Sequence, residues 1–94
     1  MNPNDARVHR NLAGALTLAG MDDRAVIEYV EAIRLKPDYT EARSRLATVL
    51  IKLKRIDDAI AQLREVVRLR PDSAEAQDDL AKAERQRNKG QSPP

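Results

Sequence analysis

The feature that most constrains this chain is a junction that occurs twice, Arg34-Leu35-Lys36-Pro37-Asp38 and Arg68-Leu69-Arg70-Pro71-Asp72. Pro37 and Pro71 are 34 residues apart and Pro3 stands another 34 residues upstream, so three prolines share one phase. Sliding residues 6–39 over residues 40–73 aligns Leu12 with Leu46, Ala13 with Ala47, Leu16 with Leu50, Asp23 with Asp57 and Ala25 with Ala59, with no gap. Self-similarity at a period of about 20 to 50 residues indicates stacked supersecondary units, each too small to bury its own apolar face.

Each unit reads as two helices. Asn4 and Asp5 precede apolar residues at Val8, Leu12, Ala15, Leu16 and Ala19. Spacings of three and four describe one face of a helix, and an Asx residue at its start can accept the orphan amides of the first turn. The first helix is therefore expected over residues 5–19, with Gly20 closing it in the left-handed conformation. Met21-Asp22-Asp23 opens a second helix, to about residue 35, with carboxylates where the helix dipole favours them and a stripe of Ala25, Val26, Tyr29, Ala32 and Ile33. Pro37 ends it by forcing the preceding residue out of the α region.

The second unit repeats the pattern. A helix over 39–53 turns Ala42, Leu46, Ala47, Val49, Leu50 and Leu53 inward, and one over 57–69 turns in Ala59, Ile60, Leu63, Val66 and Val67. Lys54 occupies the phase of Gly20, so an identical turn requires a lysine in the left-handed region, at about 1 kcal/mol. A fifth helix over 73–88 keeps Ala76, Leu80, Ala81 and Ala83 but carries Glu84 in the phase of Leu16 and Leu50. A carboxylate is expensive to bury, so this flank is expected to face water and end the stack.

These residues resemble the tetratricopeptide repeat (TPR) family, whose 34-residue unit is a helical hairpin with a proline near its end. In that family's phase, Leu12-Ala13 and Leu46-Ala47 match the leucine and small residue of the first helix. Leu16 and Leu50 match the large residue one turn later, Gly20 the turn glycine, Ala25 and Ala59 the second-helix alanine, Tyr29 the following aromatic, and Pro37 and Pro71 the proline. His9 and Arg43 stand where the family has tryptophan, Leu63 replaces the aromatic and Val66 a small residue. The resemblance implies an all-α helical-hairpin solenoid of five antiparallel helices, with repeats over 6–39 and 40–73 and a capping helix over 73–89, while Gly90-Gln91-Ser92-Pro93-Pro94 reads by its own composition as a disordered tail over 90–94. It also implies a right-handed superhelix whose first helices line a concave groove.

Catalysis finds little support. A lone His9 between Val8 and Arg10 reads as a partly packed side chain, not a ligand or general base. With no cysteine and no second histidine, a transition-metal site lacks ligands. Asp22-Asp23 and Asp57-Asp58 open helices and Asp78-Asp79 lies on helical surface, which accounts for these pairs without acid catalysis. Three glycines make no phosphate loop, and no cofactor is expected. Twelve arginines alternate with acids and, with two tyrosines as the only aromatics, lack the stacking surface of single-strand readers, so nucleic acid is an unlikely partner. No apolar run approaches the roughly 18 residues of a membrane span, and the absence of cysteine suits a reducing, cytoplasmic compartment.

The expected function is therefore a non-catalytic adaptor that binds a protein or peptide segment. The resemblance places Arg7, Arg10, Asn11, Gly14 and Thr17 of repeat one on the concave face, then Glu41, Ser44, Arg45, Thr48 and Lys52 of repeat two, then Glu75, Asp78, Asp79 and Lys82 of the last helix. TPR domains that grip chaperone C-terminal carboxylates use Lys, Asn, Asn, Lys and Arg at five positions that here read Arg10, Gly14, Arg45, Glu75 and Asp79. The two acids would repel a carboxylate, so the expectation is a groove basic at repeat one and acidic at the last helix, taking an extended peptide of opposite end charges. Solvated charges with no ligand are the plainer alternative. No helix is expected before the first repeat, which would leave Val8, Leu12 and Ala15 as an apolar flank. The chain is then a piece of a longer array or a homodimer through this helix.

Overall fold

A computed structural model describes residues 2–90. Five helices follow in order: α1 (Ala6–Leu18), α2 (Asp22–Leu35), α3 (Thr40–Lys52), α4 (Ile56–Leu69) and α5 (Ala74–Gly90). Each packs chiefly on its neighbours in the chain, α1 on α2, α2 on α3, α3 on α4 and α4 on α5. This is an all-α helical-hairpin solenoid with no strand among the described residues.

The helix ends repeat as closely as the sequence. The Asp5 carboxylate caps α1 by accepting the Arg7 amide at 2.9 Å. At the end of α1, the Met21 amide donates to the Leu16 carbonyl at 2.9 Å and the Gly20 amide to that of Thr17 at 3.0 Å. At the end of α3, the Arg55 amide donates to the Leu50 carbonyl at 2.8 Å and the Lys54 amide to that of Ile51 at 3.0 Å. Both are Schellman closures and need a left-handed residue. Gly20 supplies φ 77° and Lys54, as its position requires, φ 66°. Lys36 and Arg70, each before a proline, leave the α region with φ of −142° and −135°.

The tryptophan phase is filled by a contact that sequence reasoning missed. His9 Nε2 donates to the Pro3 carbonyl at 2.7 Å, Arg43 Nε to the Pro37 carbonyl at 2.9 Å and Gln77 Nε2 to the Pro71 carbonyl at 2.7 Å. Each donor is six residues beyond its proline, so the same bond ties each first helix to the junction before it. His9 and Arg43 also reach the second helix of their own repeat, His9 Nδ1 to Glu28 at 2.8 Å and Arg43 to Gln62 at 2.9 Å. The Pro3 carbonyl can only accept, so Nε2 carries a proton, and a protonated ring can donate from Nδ1 to Glu28 as well. The Glu28 bond, the Pro3 carbonyl and the charges of Glu28 and Glu31 hold its pKa above the ordinary imidazole value.

The core runs along the stack through Ala13, Leu16, Ala25, Tyr29, Ala32, Ala42, Leu46, Ala47, Val49, Leu50, Ala59, Ile60, Leu63 and Ala83. Small residues recur where helices cross closely, and a longer side chain there would collide. The apolar flank expected on α1 is open at Leu12 and Ala15, which are exposed, while Val8 is half-buried; Ala19 is exposed too, and Ala13 and Leu16 are the buried residues of the helix. The counterparts of Val8, Leu12 and Ala15 in the second repeat, Ala42, Leu46 and Val49, are buried because α3 lies between two second helices. Val26, Ile33, Leu53 and Leu80 are partly buried against the core, and Val67 and Ala81 are half-buried. Glu84 reaches water and pairs with Arg64 at 3.5 Å. The helices begin and end within about a residue of expectation, except that α5 includes Gly90, which had been assigned to the tail. Residues 91–94 of the expected disordered tail lie outside the described residues.

Candidate functional site

The first helices α1, α3 and α5 open clefts that many of the expected groove residues line. A cleft of about 480 Å³ is bounded by Arg10, Asn11, Gly14, Ala15, Thr17 and Leu18 of α1, Tyr29 of α2 and Arg45 of α3. One repeat further along, a cleft of about 250 Å³ is bounded by Ser44, Ala47, Thr48 and Ile51 of α3, Leu63 of α4, and Asp79, Lys82, Ala83 and Gln86 of α5. Its positions repeat those of the first: Ser44 for Arg10, Thr48 for Gly14, Ile51 for Thr17, Leu63 for Tyr29 and Asp79 for Arg45. Between them a third cleft of about 230 Å³ brings together Thr40, Glu41, Ser44, Arg70, Glu75 and Asp79.

Eleven expected residues thus meet on this face: Arg10, Asn11, Gly14, Thr17, Glu41, Ser44, Arg45, Thr48, Glu75, Asp79 and Lys82. The other three, Arg7, Lys52 and Asp78, line none of these clefts. Arg7 turns back to Asp5 at 3.2 Å and holds that carboxyl below its ordinary pKa, mainly through their side-chain hydrogen bond. Lys52 reaches Asp22 at 3.4 Å, and Asp78 pairs with Lys82 at 3.0 Å.

Charge on the face differs from a simple count. Arg10 is engaged by Glu41 of α3 and donates to the Asn11 side-chain oxygen at 2.7 Å. Its pKa is raised, first through the bond to Glu41, and the Tyr29 phenol lies within electrostatic reach of it. Arg45 and Asp79 make no hydrogen bond or ion pair among the described residues. Sequence reasoning missed Tyr29 and Leu18 as cleft residues, because the first was assigned to the core and the second to no role. Leu18, 92% exposed, forms an apolar rim. A sequence signal for Tyr29 existed: it is an aromatic of repeat one at a position that reads Leu63 in repeat two.

Among the described residues no cluster of side chains could hold a metal ion, and no helix is long and apolar enough to cross a membrane.

Comparison with known proteins bears on this architecture. No curated protein matches the sequence significantly. Among solved structures, the first TPR of Spaghetti (RPAP3), bound to the HSP90 peptide SRMEEVD, superposes with TM-score 0.82 at 25% identity, covering 89% of this chain and 67% of that one. The second TPR domain of human RPAP3, in complex with the HSP70 peptide SGPTIEEVD, superposes with TM-score 0.77 at 25% identity, covering 85% and 67%. MamA shares the fold with TM-score 0.84 at 20% identity; 96% of this chain is covered, but it spans 50% of the MamA chain. A tetratricopeptide repeat profile matches residues 23–84. Together with the two hairpins, their repeated closures and the capping helix, that match means that this chain belongs to the tetratricopeptide repeat family.

Proposed function

We propose that this chain is a non-catalytic protein-interaction module that takes an extended segment of a partner protein along the face formed by α1, α3 and α5. The observation that carries this reading is the row of clefts between successive first helices, lined by side chains from three helices at once. The peptide-bound RPAP3 domains at 25% identity support peptide binding as the general mode. A chaperone C-terminus is a poor ligand, because Glu75 and Asp79 stand at clamp positions and Arg10 is already engaged by Glu41. The partner segment that fits carries an acid toward repeat one and a base toward α5.

Capture of partners by the wild type and by an Arg10→Glu, Arg45→Glu variant, followed by peptide affinities at two salt concentrations, tests this. Capture should fall at least about tenfold in the variant, and wild-type affinity should weaken as salt rises. Unchanged affinity for every partner would remove the concave face as the binding site.

A second reading rests on α1. Leu12 is 44% exposed where its counterpart Leu46 is 2% exposed. That flank would seat a further helical hairpin or a second copy of the chain. Sedimentation at high concentration tests the second-copy version, which a strict monomer would exclude.

A further inference from the structure

We infer that Asn11, Tyr29 and Arg45 form a subsite for an anionic oxygen group, a carboxylate or phosphoryl, borne by the partner's segment. The inference rests on the concave face being the binding site and adds what its first cleft recognises.

Tyr29 is the starting point. It is 2% exposed and hydrogen-bonds to nothing among the described residues. Yet no buried side-chain nitrogen or oxygen is left without a partner. The sliver of Tyr29 that reaches solvent therefore includes its hydroxyl, and the open space beside it is the cleft it lines. A phenol held this deeply at the floor of a cleft, with its donor unused, is disposed to meet a ligand.

The neighbouring polar groups fix the sign of that ligand. Arg45 brings a guanidinium with no partner, and the Asn11 side-chain oxygen is occupied by Arg10, which leaves its amide hydrogens to donate. Thr17 spends its hydroxyl hydrogen on the Ala13 carbonyl at 2.9 Å. The donors left in the cleft thus outnumber the acceptors, around one net positive charge. Gly14 supplies the room, since a Cβ built there meets no atom within 4 Å. Asn11 and Tyr29 lie outside the five chaperone-clamp positions, so the set is not that clamp with one residue changed.

Side-chain NMR of the whole chain tests this with three probes: N-acetylglutamate methylamide, its glutamine analogue and inorganic phosphate. The expected result is saturable shifts at the Asn11 amide, the Tyr29 ring and the Arg45 Nε for the carboxylate probe, at least about tenfold stronger than for glutamine. Tyr29→Phe and Arg45→Gln should each weaken that binding about tenfold, with the fold checked by the unchanged backbone spectrum. Saturation by phosphate and not by the carboxylate supports the subsite and assigns it a phosphoryl group. Shifts at Ser44, Thr48 or Lys82 with none at Tyr29 and Arg45 would overturn the subsite while leaving the concave-face reading standing. Equal response to glutamate and glutamine probes, with no response to phosphate, would also overturn it.

Discussion

Repeat one and repeat two share a backbone down to individual closing bonds, but their clefts have different chemistry. The first has a phenol at its floor, a glycine in its wall and an unpaired arginine opposite; the second has Leu63, Thr48 and an unpaired Asp79 at those places. The volume falls from about 480 to about 250 Å³ and the charge changes sign. The difference teaches how a repeat protein separates scaffold from specificity. Positions that cross close to another helix are held to alanine or leucine by packing. Cleft positions such as Gly14, with no atom within 4 Å of an added Cβ, and the unpaired Arg45 and Asp79 are not held by packing in this way and can differ between repeats.

Burial separates the repeats most sharply, and equivalent truncations measure it. Leu46→Ala should cost about 2 to 5 kcal/mol, since the residue is enclosed between second helices. Leu12→Ala, at the same phase, should cost about 1 kcal/mol or less, because nearly half of it already meets water. Denaturant melts of the two variants check the contrast. Equal losses would mean that the α1 flank is covered in solution, by a second copy or another segment.

The turns offer a smaller effect of opposite signs. Lys54→Gly should stabilise by about 1 kcal/mol and Gly20→Ala should destabilise by a similar amount, because both positions need positive φ. Thermal melts read both, and two shifts of the same sign would break the equivalence of the closures.

The junction clamps should differ least in size but most clearly in pH dependence. His9 reaches Pro3 and Glu28 through its two ring nitrogens, whereas Arg43 makes the equivalent bonds with a guanidinium. The folded pKa of His9 is raised above its ordinary value of 6.5. Its contribution is therefore fully present below about pH 6.5 and lost as pH rises through the higher folded value. The melting temperature should fall over that window in the wild type and stay flatter in His9→Gln, a residue that makes the proline bond at Gln77. A wild-type profile as flat as the variant's would show that the clamp contributes nothing measurable.

Much of this molecule was legible from one period and its punctuation. The prolines in phase, the alternation of three and four between apolar residues, and the left-handed turn at Lys54 each follow from local sterics, which a sequence displays directly. The exposed flank of α1 was anticipated at Leu12 and Ala15, but not from spacing. Val8, Leu12 and Ala15 obey the helical spacing as well as Ala42, Leu46 and Val49 do, and spacing alone says which residues share a face, not whether anything lies against it. The clamp residues escaped notice because His9, Arg43 and Gln77 have no side-chain type in common. They share only a place from which a donor reaches the same carbonyl.

What the sequence by itself determined was the repeat, the helices, their closures and the family, since all are properties of a chain folding against its own near neighbours. What only the tertiary structure decided was which charges remain available. Glu41 comes from the next repeat to neutralise Arg10, and Lys52 crosses a repeat boundary to meet Asp22, while Arg45 and Asp79 are left facing clefts. A charge is cancelled by whatever the fold brings within a few ångströms of it, and that distance is set by how the helices stack, not by their order along the chain.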